Sequence, residues 1–148
     1  MAAHRFKIQR QVEFSETDMA GIVHFSNMFR YMEAVEHAFF RSLGLTIAPR
    51  GADAVGWPRV HASLDFRKPL RFEDTVEVEL FVREKREKTL AYTIVMRKLN
   101  ADPVHEVARG SLVVACIRKD PATGAMSGTP IPLEIAGLFE AAPADLLR

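Results

Sequence analysis

The spacing of apolar residues changes from period two to a helical period within the first third of the chain. Over residues 6–14 apolar and polar side chains alternate, which is typical of a half-buried strand. The apolar members are Phe6, Ile8, Val12 and Phe14. Over residues 26–43 the apolar side chains instead share one helical stripe, which predicts an amphipathic helix of about five turns. That stripe contains Met28, Phe29, Met32, Val35, Phe39, Phe40 and Leu43. Gly44 can end the helix in the left-handed conformation.

The rest of the chain predicts strands with short connections. Residues 46–58 are loop-like, and four apolar-rich segments that resemble strands follow. These segments are residues 60–66, 76–82, 90–96 and 104–117. Residues 83–88 and 100–103 are typical of hairpin turns, and residues 133–139 of a short helix. The order of elements predicts a single α+β domain over residues 1–148, with an antiparallel sheet wrapped around one long central helix.

Composition and charge limit the classes of function. The chain has 148 residues, 48% of them hydrophobic, which is enough for one domain with a sizeable core and unlike a disordered chain. The formal net charge of +1 argues against a general nucleic-acid-binding protein. No apolar run approaches the roughly 20 residues of a membrane helix, and the first residues lack the apolar core of a signal peptide. Since Cys116 is the single cysteine, no intramolecular disulfide can form, and we expect a cytoplasmic protein.

A carboxylate stands at the junction between the first predicted strand and the long helix. Residues 14–31 read FSETDMAGIVHFSNMFRY, which places Asp18 in a turn with Gly21 just before the helix. Asp also favours turns and helix caps for purely structural reasons. At this junction, however, a carboxylate can act as base or nucleophile while unpaired N–H groups of the first helical turn form an oxyanion site. The neighbouring Glu16 and Thr17 are expected to be solvated or to support Asp18.

The same segment resembles a known family. The pattern Asp-x-x-Gly-Ile-Val-His at residues 18–24, followed by a helix with Met28 and Tyr31, is similar to the motif of acyl-CoA thioesterases of the 4-hydroxybenzoyl-CoA thioesterase type. The order of elements resembles the hotdog fold of that family over about residues 6–140. His24 and Met28 stand where relatives often carry aromatic residues, so the resemblance leaves the shape of the acyl pocket open.

The resemblance implies a role for each residue of the motif. Asp18 would be the catalytic carboxylate, and Gly21 would let the backbone approach the thioester closely. The backbone N–H of Phe25 would bind the thioester carbonyl oxygen. Two interpretations of His24 stay open. It could orient Asp18, donate to the substrate or act as a general acid, or it could line the pocket in place of an aromatic residue.

A basic segment of the chain implies coenzyme A binding. Arg86 and Lys88 match a stretch that contacts the coenzyme A phosphates in relatives, and Lys68 could join them in space. Taken alone, the mixed-charge residues 83–88 are typical of a solvated hairpin. Sites in this family lie at a subunit interface, and an unpaired sheet edge tends to associate with another chain. We therefore expect a homodimer or homotetramer.

Other reactive side chains give weaker hypotheses. Glu33 and Glu36 are alternatives to Asp18, because some hotdog relatives use a helical Glu, although ordinary surface pairs with nearby basic residues also explain them. Cys116 lies in the most apolar segment and is expected to be an inert core thiol. The sequence contains neither a Gly-x-Ser-x-Gly nor a His-Glu-x-x-His motif, so we expect no serine nucleophile and no metal site.

These features predict hydrolysis of acyl-CoA thioesters to a free acid and coenzyme A. No cofactor is expected beyond the coenzyme A of the substrate. Three alternatives stay open: a thioesterase for acyl groups on acyl carrier protein, a hotdog hydratase or dehydratase, and a catalytically silent acyl-CoA-binding module. The sequence does not identify the acyl group, and it does not decide whether Asp18 activates water or attacks the carbonyl carbon.

Overall fold

One long helix packs against one face of a five-stranded sheet in the computed structural model, which describes residues 2–148. The helices are α1 (Phe25–Ser42) and α2 (Leu133–Ala136). The strands are β1 (Arg5–Gln11), β2 (Val55–Gly56), β3 (Arg59–Phe66), β4 (Thr75–Lys85), β5 (Thr89–Lys98), β6 (His105–Ala115), β7 (Ile117–Lys119) and β8 (Met126–Gly128). The large sheet has the order β1-β4-β5-β6-β3, with every pair of neighbours antiparallel. The α+β architecture that the sequence predicts is confirmed.

Local sequence determines where α1 ends. Gly44 has a φ of +77°, the left-handed conformation that glycine adopts without strain. The Leu45 N–H donates to the Phe40 carbonyl at 2.9 Å, and the Gly44 N–H donates to the Arg41 carbonyl at 3.0 Å. These two hydrogen bonds form a Schellman cap, so the predicted stop at Gly44 is confirmed. None of the helices in residues 2–148 combines the length and hydrophobicity that crossing a lipid bilayer requires.

The core lies between α1 and the large sheet. The buried residues of α1 are Met28, Tyr31, Met32, Val35, Glu36, Phe39 and Phe40. They pack with buried side chains of β4 and β5, among them Val78, Leu80, Val82, Tyr92 and Ile94. Each fully buried aliphatic or Phe side chain contributes about 1.5–3 kcal/mol before the loss of conformational entropy is subtracted. Cys116 belongs to this core, as its apolar neighbours in the sequence predict.

The structure differs from the sequence prediction in several places. The short helix ends at Ala136 instead of residue 139, and β6 ends at Ala115 instead of residue 117. β4 continues through Lys85, so the hairpin turn is confined to residues 86–88. Phe14, which the alternation places on the buried face of the first strand, lies in a 3₁₀ turn and is 74% exposed. A second, three-stranded sheet has the order β2-β7-β8. The sequence does not predict it, because strands of two or three residues are too short to show a period.

The two edge strands of the large sheet are both exposed, but the exposed side chains of β1 are all polar or charged, whereas β3 also exposes apolar ones. β1 is one edge and β3 is the other. β3 is exposed along nearly its whole length, and its apolar side chains Val60 and Phe66 are 61% and 50% exposed. An exposed strand edge with apolar side chains is suited to pairing with another chain.

Candidate active site

A tight turn between β1 and α1 holds Asp18. The Asp18 N–H donates to the Ile22 carbonyl at 2.9 Å, and the Gly21 N–H donates to the Asp18 carbonyl at 3.0 Å. Carboxylate oxygen Oδ1 of Asp18 accepts the Ala20 N–H at 2.8 Å. Gly21 has a φ of +79°, which a residue with a Cβ rarely adopts. The turn therefore fixes the direction of the carboxylate, and Oδ2 has no hydrogen-bond partner among residues 2–148.

Glu16 joins this turn to the first two turns of α1. Its carbonyl oxygen accepts the His24 N–H at 2.9 Å and the Asn27 side-chain amide at 2.8 Å. Its Oε1 accepts the Tyr31 hydroxyl at 2.7 Å. Burial, together with the hydrogen bond to Glu16, raises the pKa of Tyr31, so the hydroxyl remains a donor at neutral pH. Glu16 thus ties the segment before Asp18 to α1, and support of Asp18 by Glu16 stays a prediction.

In the first turn of α1, the backbone N–H of Phe25 has no hydrogen-bond acceptor among residues 2–148. His24 precedes the helix in an extended conformation, and its Nδ1 accepts the Ser26 N–H at 3.3 Å. The His24 carbonyl accepts the Asn27 N–H at 2.9 Å. Within residues 2–148 the Phe25 N–H has no acceptor, so it stays available at the positive end of the helix dipole. His24 itself acts as the cap and is not part of the groove wall, so a direct role for it in catalysis stays a prediction.

Asp18 and Phe25 line one largely apolar groove of about 590 Å³. The groove lies between the start of α1 and the segment that follows β3, and its other walls include Met28, Phe66, Lys68 and Leu70. The Phe66 ring meets the Phe25 and Phe29 rings edge-on, with ring centroids 6.5 Å apart in both pairs. The volume falls in the range of small-molecule sites.

This arrangement offers two of the groups that acyl transfer requires. The Asp18 carboxylate can act on a water molecule or a carbonyl carbon, and the Phe25 N–H can donate a hydrogen bond to a developing oxyanion. The apolar walls would strengthen both interactions once a bound ligand excludes water from the groove. In the part of the chain that the structure describes, no group of three or more His, Cys, Asp or Glu side chains could hold a metal ion.

Comparison with known proteins identifies the family. Residues 12–139 match the thioesterase-like superfamily. The chain belongs to this superfamily. The family resemblance based on residues 18–24 is thereby confirmed.

Two relatives of this thioesterase-like chain are named for CoA esters. The chain is 32% identical over 92 residues to the 4-hydroxybenzoyl-CoA thioesterase of Pseudomonas sp. (strain CBS-3). The alignment covers 59% of this chain and 64% of that protein. The chain is 33% identical over 85 residues to the 1,4-dihydroxy-2-naphthoyl-CoA hydrolase of Parasynechococcus marenigrum (strain WH8102). That alignment covers 52% of this chain and 56% of the hydrolase. In both cases the chain spans less than two thirds of the relative.

A solved structure shares the fold of this thioesterase-like chain. It is a 4-hydroxybenzoyl CoA thioesterase with an Asp-to-Asn mutation, complexed with 4-hydroxybenzoyl CoA. The two superpose with a TM-score of 0.80 at 21% identity, over 93% of this chain and 100% of that chain. The predicted hotdog fold is confirmed.

Of the three basic residues predicted to bind coenzyme A, the structure brings one to the groove. Lys68 lines it. Arg86 and Lys88 lie in the β4–β5 hairpin, where Arg86 pairs with Glu84. The sheet register places this hairpin near the Arg59 end of β3, whereas the groove is at the Phe66 end. β3 separates the two by roughly 23 Å at ~3.3 Å per residue. Contact of Arg86 or Lys88 with a ligand in this groove stays a prediction that requires a second subunit.

Glu36 is not the surface residue that its charged neighbours in the sequence suggest. Its side chain is fully buried and forms an ion pair with Arg59. Within residues 2–148, neither Glu36 Oε2 nor the buried Tyr92 hydroxyl has a hydrogen-bond partner. Burial raises the pKa of Glu36 to about 7, although Arg59 opposes this shift. The surface interpretation of Glu36 is therefore wrong, and neither Glu36 nor Glu33 lines the Asp18 groove.

The sequence contained a signal for the burial of Glu36. Glu36 lies four residues after Met32 and four before Phe40, which places it on the apolar stripe of α1. Its partner Arg59 is 23 residues further along the chain, and nothing in the local pattern links the two. The hydrogen bond between Tyr31 and Glu16, 15 residues apart, had no sequence signal either.

Proposed function

We propose that this chain hydrolyses acyl-CoA thioesters to a free acid and coenzyme A, with Asp18 as the catalytic carboxylate. The observation that carries the proposal is that Asp18 and Phe25 line the same apolar groove. A carboxylate with a free oxygen therefore lies in the same cavity as a helix-start residue with a free N–H. Membership of the thioesterase-like superfamily supports the same reaction class.

In the proposed reaction the thioester carbonyl lies between these two groups. Its oxygen accepts the Phe25 N–H, and the negative charge that develops there is stabilised by that hydrogen bond and by the helix dipole. Asp18 either takes a proton from the attacking water or attacks the carbonyl carbon itself, giving an anhydride that water then cleaves. In the first route the protonated Asp18 returns its proton to the sulfur as the carbon–sulfur bond breaks, so coenzyme A leaves as a thiol. In the second route coenzyme A leaves as a thiolate, and the water that cleaves the anhydride supplies the proton that the thiolate takes up. The hydrogen bonds of Glu16 would keep Asp18 in place relative to α1.

We infer that the acyl group is aromatic. The apolar groove wall contains Phe25 and Phe66, and Phe29 adds a further ring at an edge-on angle. Edge-to-face contacts with a bound aromatic ring contribute about 0.5–1.5 kcal/mol beyond the burial of its area. The two relatives described above are named for aromatic CoA esters, which supports the same preference.

We further propose a homodimer that completes the site. The groove is open, since Phe25 and Phe66 are 59% and 50% exposed. β3 presents an exposed edge beside it. Pairing of this edge with a second copy would cover Phe66 and could bring a basic hairpin with Arg86 and Lys88 to the coenzyme A end of the substrate. Closed two-fold symmetry is the commonest form of such assemblies.

Thiol release from a panel of acyl-CoA esters tests the proposed reaction. The panel should contain aromatic and aliphatic CoA esters, the matching pantetheine esters and an acyl group on carrier protein. We expect turnover of CoA esters, with higher kcat/KM for aromatic than for aliphatic acyl groups of similar size. Hydration of an enoyl-CoA without thiol release would contradict the proposal and favour a hydratase. Thiol release from the carrier protein alone would favour a thioesterase for acyl carrier protein.

A further inference from the structure

A second groove lies on the side of α1 that the proposed reaction does not use. It has a volume of about 550 Å³ and runs between α1 and the edge strand β1. Ala34 and Ala38 lie along it, and their short side chains leave room for a ligand. Three arginines also line it: Arg10 from β1, and Arg30 and Arg41 from α1. None of these residues lines the Asp18 groove.

The charge of this arginine groove is only partly offset within the subunit, since Arg10 also lines a neighbouring cavity with Glu13 and Glu16. In the part of the chain that the structure describes, no ion pair joins Arg10, Arg30 or Arg41 to a carboxylate. The one acid of the groove wall, Glu33, has its Oε2 3.6 Å from Nη2 of Arg59. His37 also lines the groove, and burial lowers its pKa, so its ring is neutral at pH 7. The arginines therefore dominate the local potential.

The spacing of the arginines suits an elongated anion. Arg30 and Arg41 are eleven positions apart on one face of α1, which corresponds to roughly 16 Å at ~1.5 Å per residue. Ala34 and Ala38 lie between them along the helix, and Arg10 faces them from β1. A ligand in this groove can therefore meet guanidinium groups at both ends and from both walls.

We propose that the arginine groove is a binding site for a nucleotide-sized ligand with two or more phosphate groups. Guanidinium groups bind phosphate oxygens in a bidentate manner, and phosphates supply several such acceptors. A concave cavity of this volume fits a small molecule better than a flat protein surface. A second copy of the chain is a poor occupant, because a two-fold contact through this face would oppose arginines to arginines. The same chemistry is available from a free nucleotide and from the nucleotide end of a CoA ester.

Equilibrium binding of ADP and of inorganic pyrophosphate to the full-length protein tests this site. The test variant is Arg30→Ala with Arg41→Ala, and the control is Arg50→Ala with Lys119→Ala, which removes the same charge from exposed positions elsewhere. We expect wild type and control to bind both probes, and more weakly at high salt. Because a charge-assisted hydrogen bond contributes about 1.5–3 kcal/mol, the test variant should bind about tenfold more weakly or worse. Absence of binding to wild type, equal binding by both variants, or stronger binding of an acidic peptide than of either probe would overturn the proposal.

Kinetics with two classes of ester then identify the source of the phosphates. If the site holds the nucleotide end of the substrate, the test variant should raise KM for a CoA ester and leave KM for the matching pantetheine ester unchanged. If the site holds a free nucleotide, both KM values should stay at the wild-type level while ADP binding is lost. The binding test needs no hydrolysis, so it can succeed or fail independently of the proposed thioesterase activity.

Discussion

Two carboxylates, Asp18 before α1 and Glu36 within it, lie in opposite environments. Asp18 lies in the half-exposed turn that precedes α1, with Oδ1 bound by that turn and a groove beside it. Glu36 lies in the middle of α1, fully buried against Arg59. Burial shifts the pKa of Glu36 strongly, yet Glu36 does not line the Asp18 groove. Burial against an ion-pair partner therefore distinguishes the structural carboxylate, and a position in a groove with a helix-start residue whose N–H is free distinguishes the proposed catalytic one.

Removing the charge of Asp18 should have the largest effect on activity. We expect Asp18→Asn to lower kcat by about 10²–10⁴-fold, the usual contribution of an acid–base group, while urea unfolding remains unchanged. Asp145→Asn is the matched control, because Asp145 is an exposed aspartate outside both the groove wall and β3. Near-wild-type turnover by a folded Asp18→Asn protein would remove Asp18 from the mechanism.

Removing the partner of Glu36 should have the largest effect on stability. Arg59→Met leaves Glu36 buried without its counter-charge, which typically costs 3–5 kcal/mol for a buried pair. Since Arg59 is itself about one third exposed, we expect the lower end, about 3 kcal/mol at pH 8, in urea unfolding. Adding Glu36→Gln in the same chain should restore most of the loss. A loss that persists in the double variant would show that the packing of Arg59, rather than the charge of Glu36, is responsible.

Glu36 should also make stability depend on pH. The pKa of Glu36 is about 7 in the folded protein against the ordinary value of 4.5, so between these values the folded state holds a proton that the unfolded state has released. Stability from this group is therefore present below about pH 4.5 and falls as pH rises to about 7, by about 3 kcal/mol in total. Glu36→Gln should flatten the unfolding free energy over this range. An equal slope in the variant would assign the pH dependence to other groups.

Loss of the Tyr31 hydroxyl should have a smaller effect. Tyr31→Phe removes the hydrogen bond to Glu16, so we expect a loss of about 1.5 kcal/mol in unfolding free energy. Because Glu16 is predicted to support Asp18, kcat should fall while KM stays constant. Tyr92→Phe is the control, since the Tyr92 hydroxyl has no partner among residues 2–148, and its removal should be neutral or stabilising. If kcat is unchanged in Tyr31→Phe, the hydrogen bond between Tyr31 and Glu16 stabilises the fold but does not affect catalysis.

The sequence predicted those features that local patterns encode. The period of α1, the stop at Gly44 and the four long strands after α1 all follow from side-chain spacing or backbone preference, and all are confirmed. The turn with Asp18 and Gly21 was also recognisable, because its residue types and spacing are specific. The contacts of Glu36 with Arg59 and of Glu16 with Tyr31 were not, because each joins residues that meet only after the helix has packed. The spacing of residues along the chain also cannot show that the hairpin with Arg86 and Lys88 lies far from the Asp18 groove of the same subunit.

The most direct test of this account is kcat for thiol release from one aromatic CoA ester, measured at pH 7.5 for Asp18→Asn and Glu36→Gln beside the wild type. We expect a loss of about 100-fold or more for Asp18→Asn. For Glu36→Gln we expect a rate within about threefold of wild type, because that side chain touches no reacting atom. A large loss in Glu36→Gln with full activity in Asp18→Asn would contradict the division of roles between the two carboxylates.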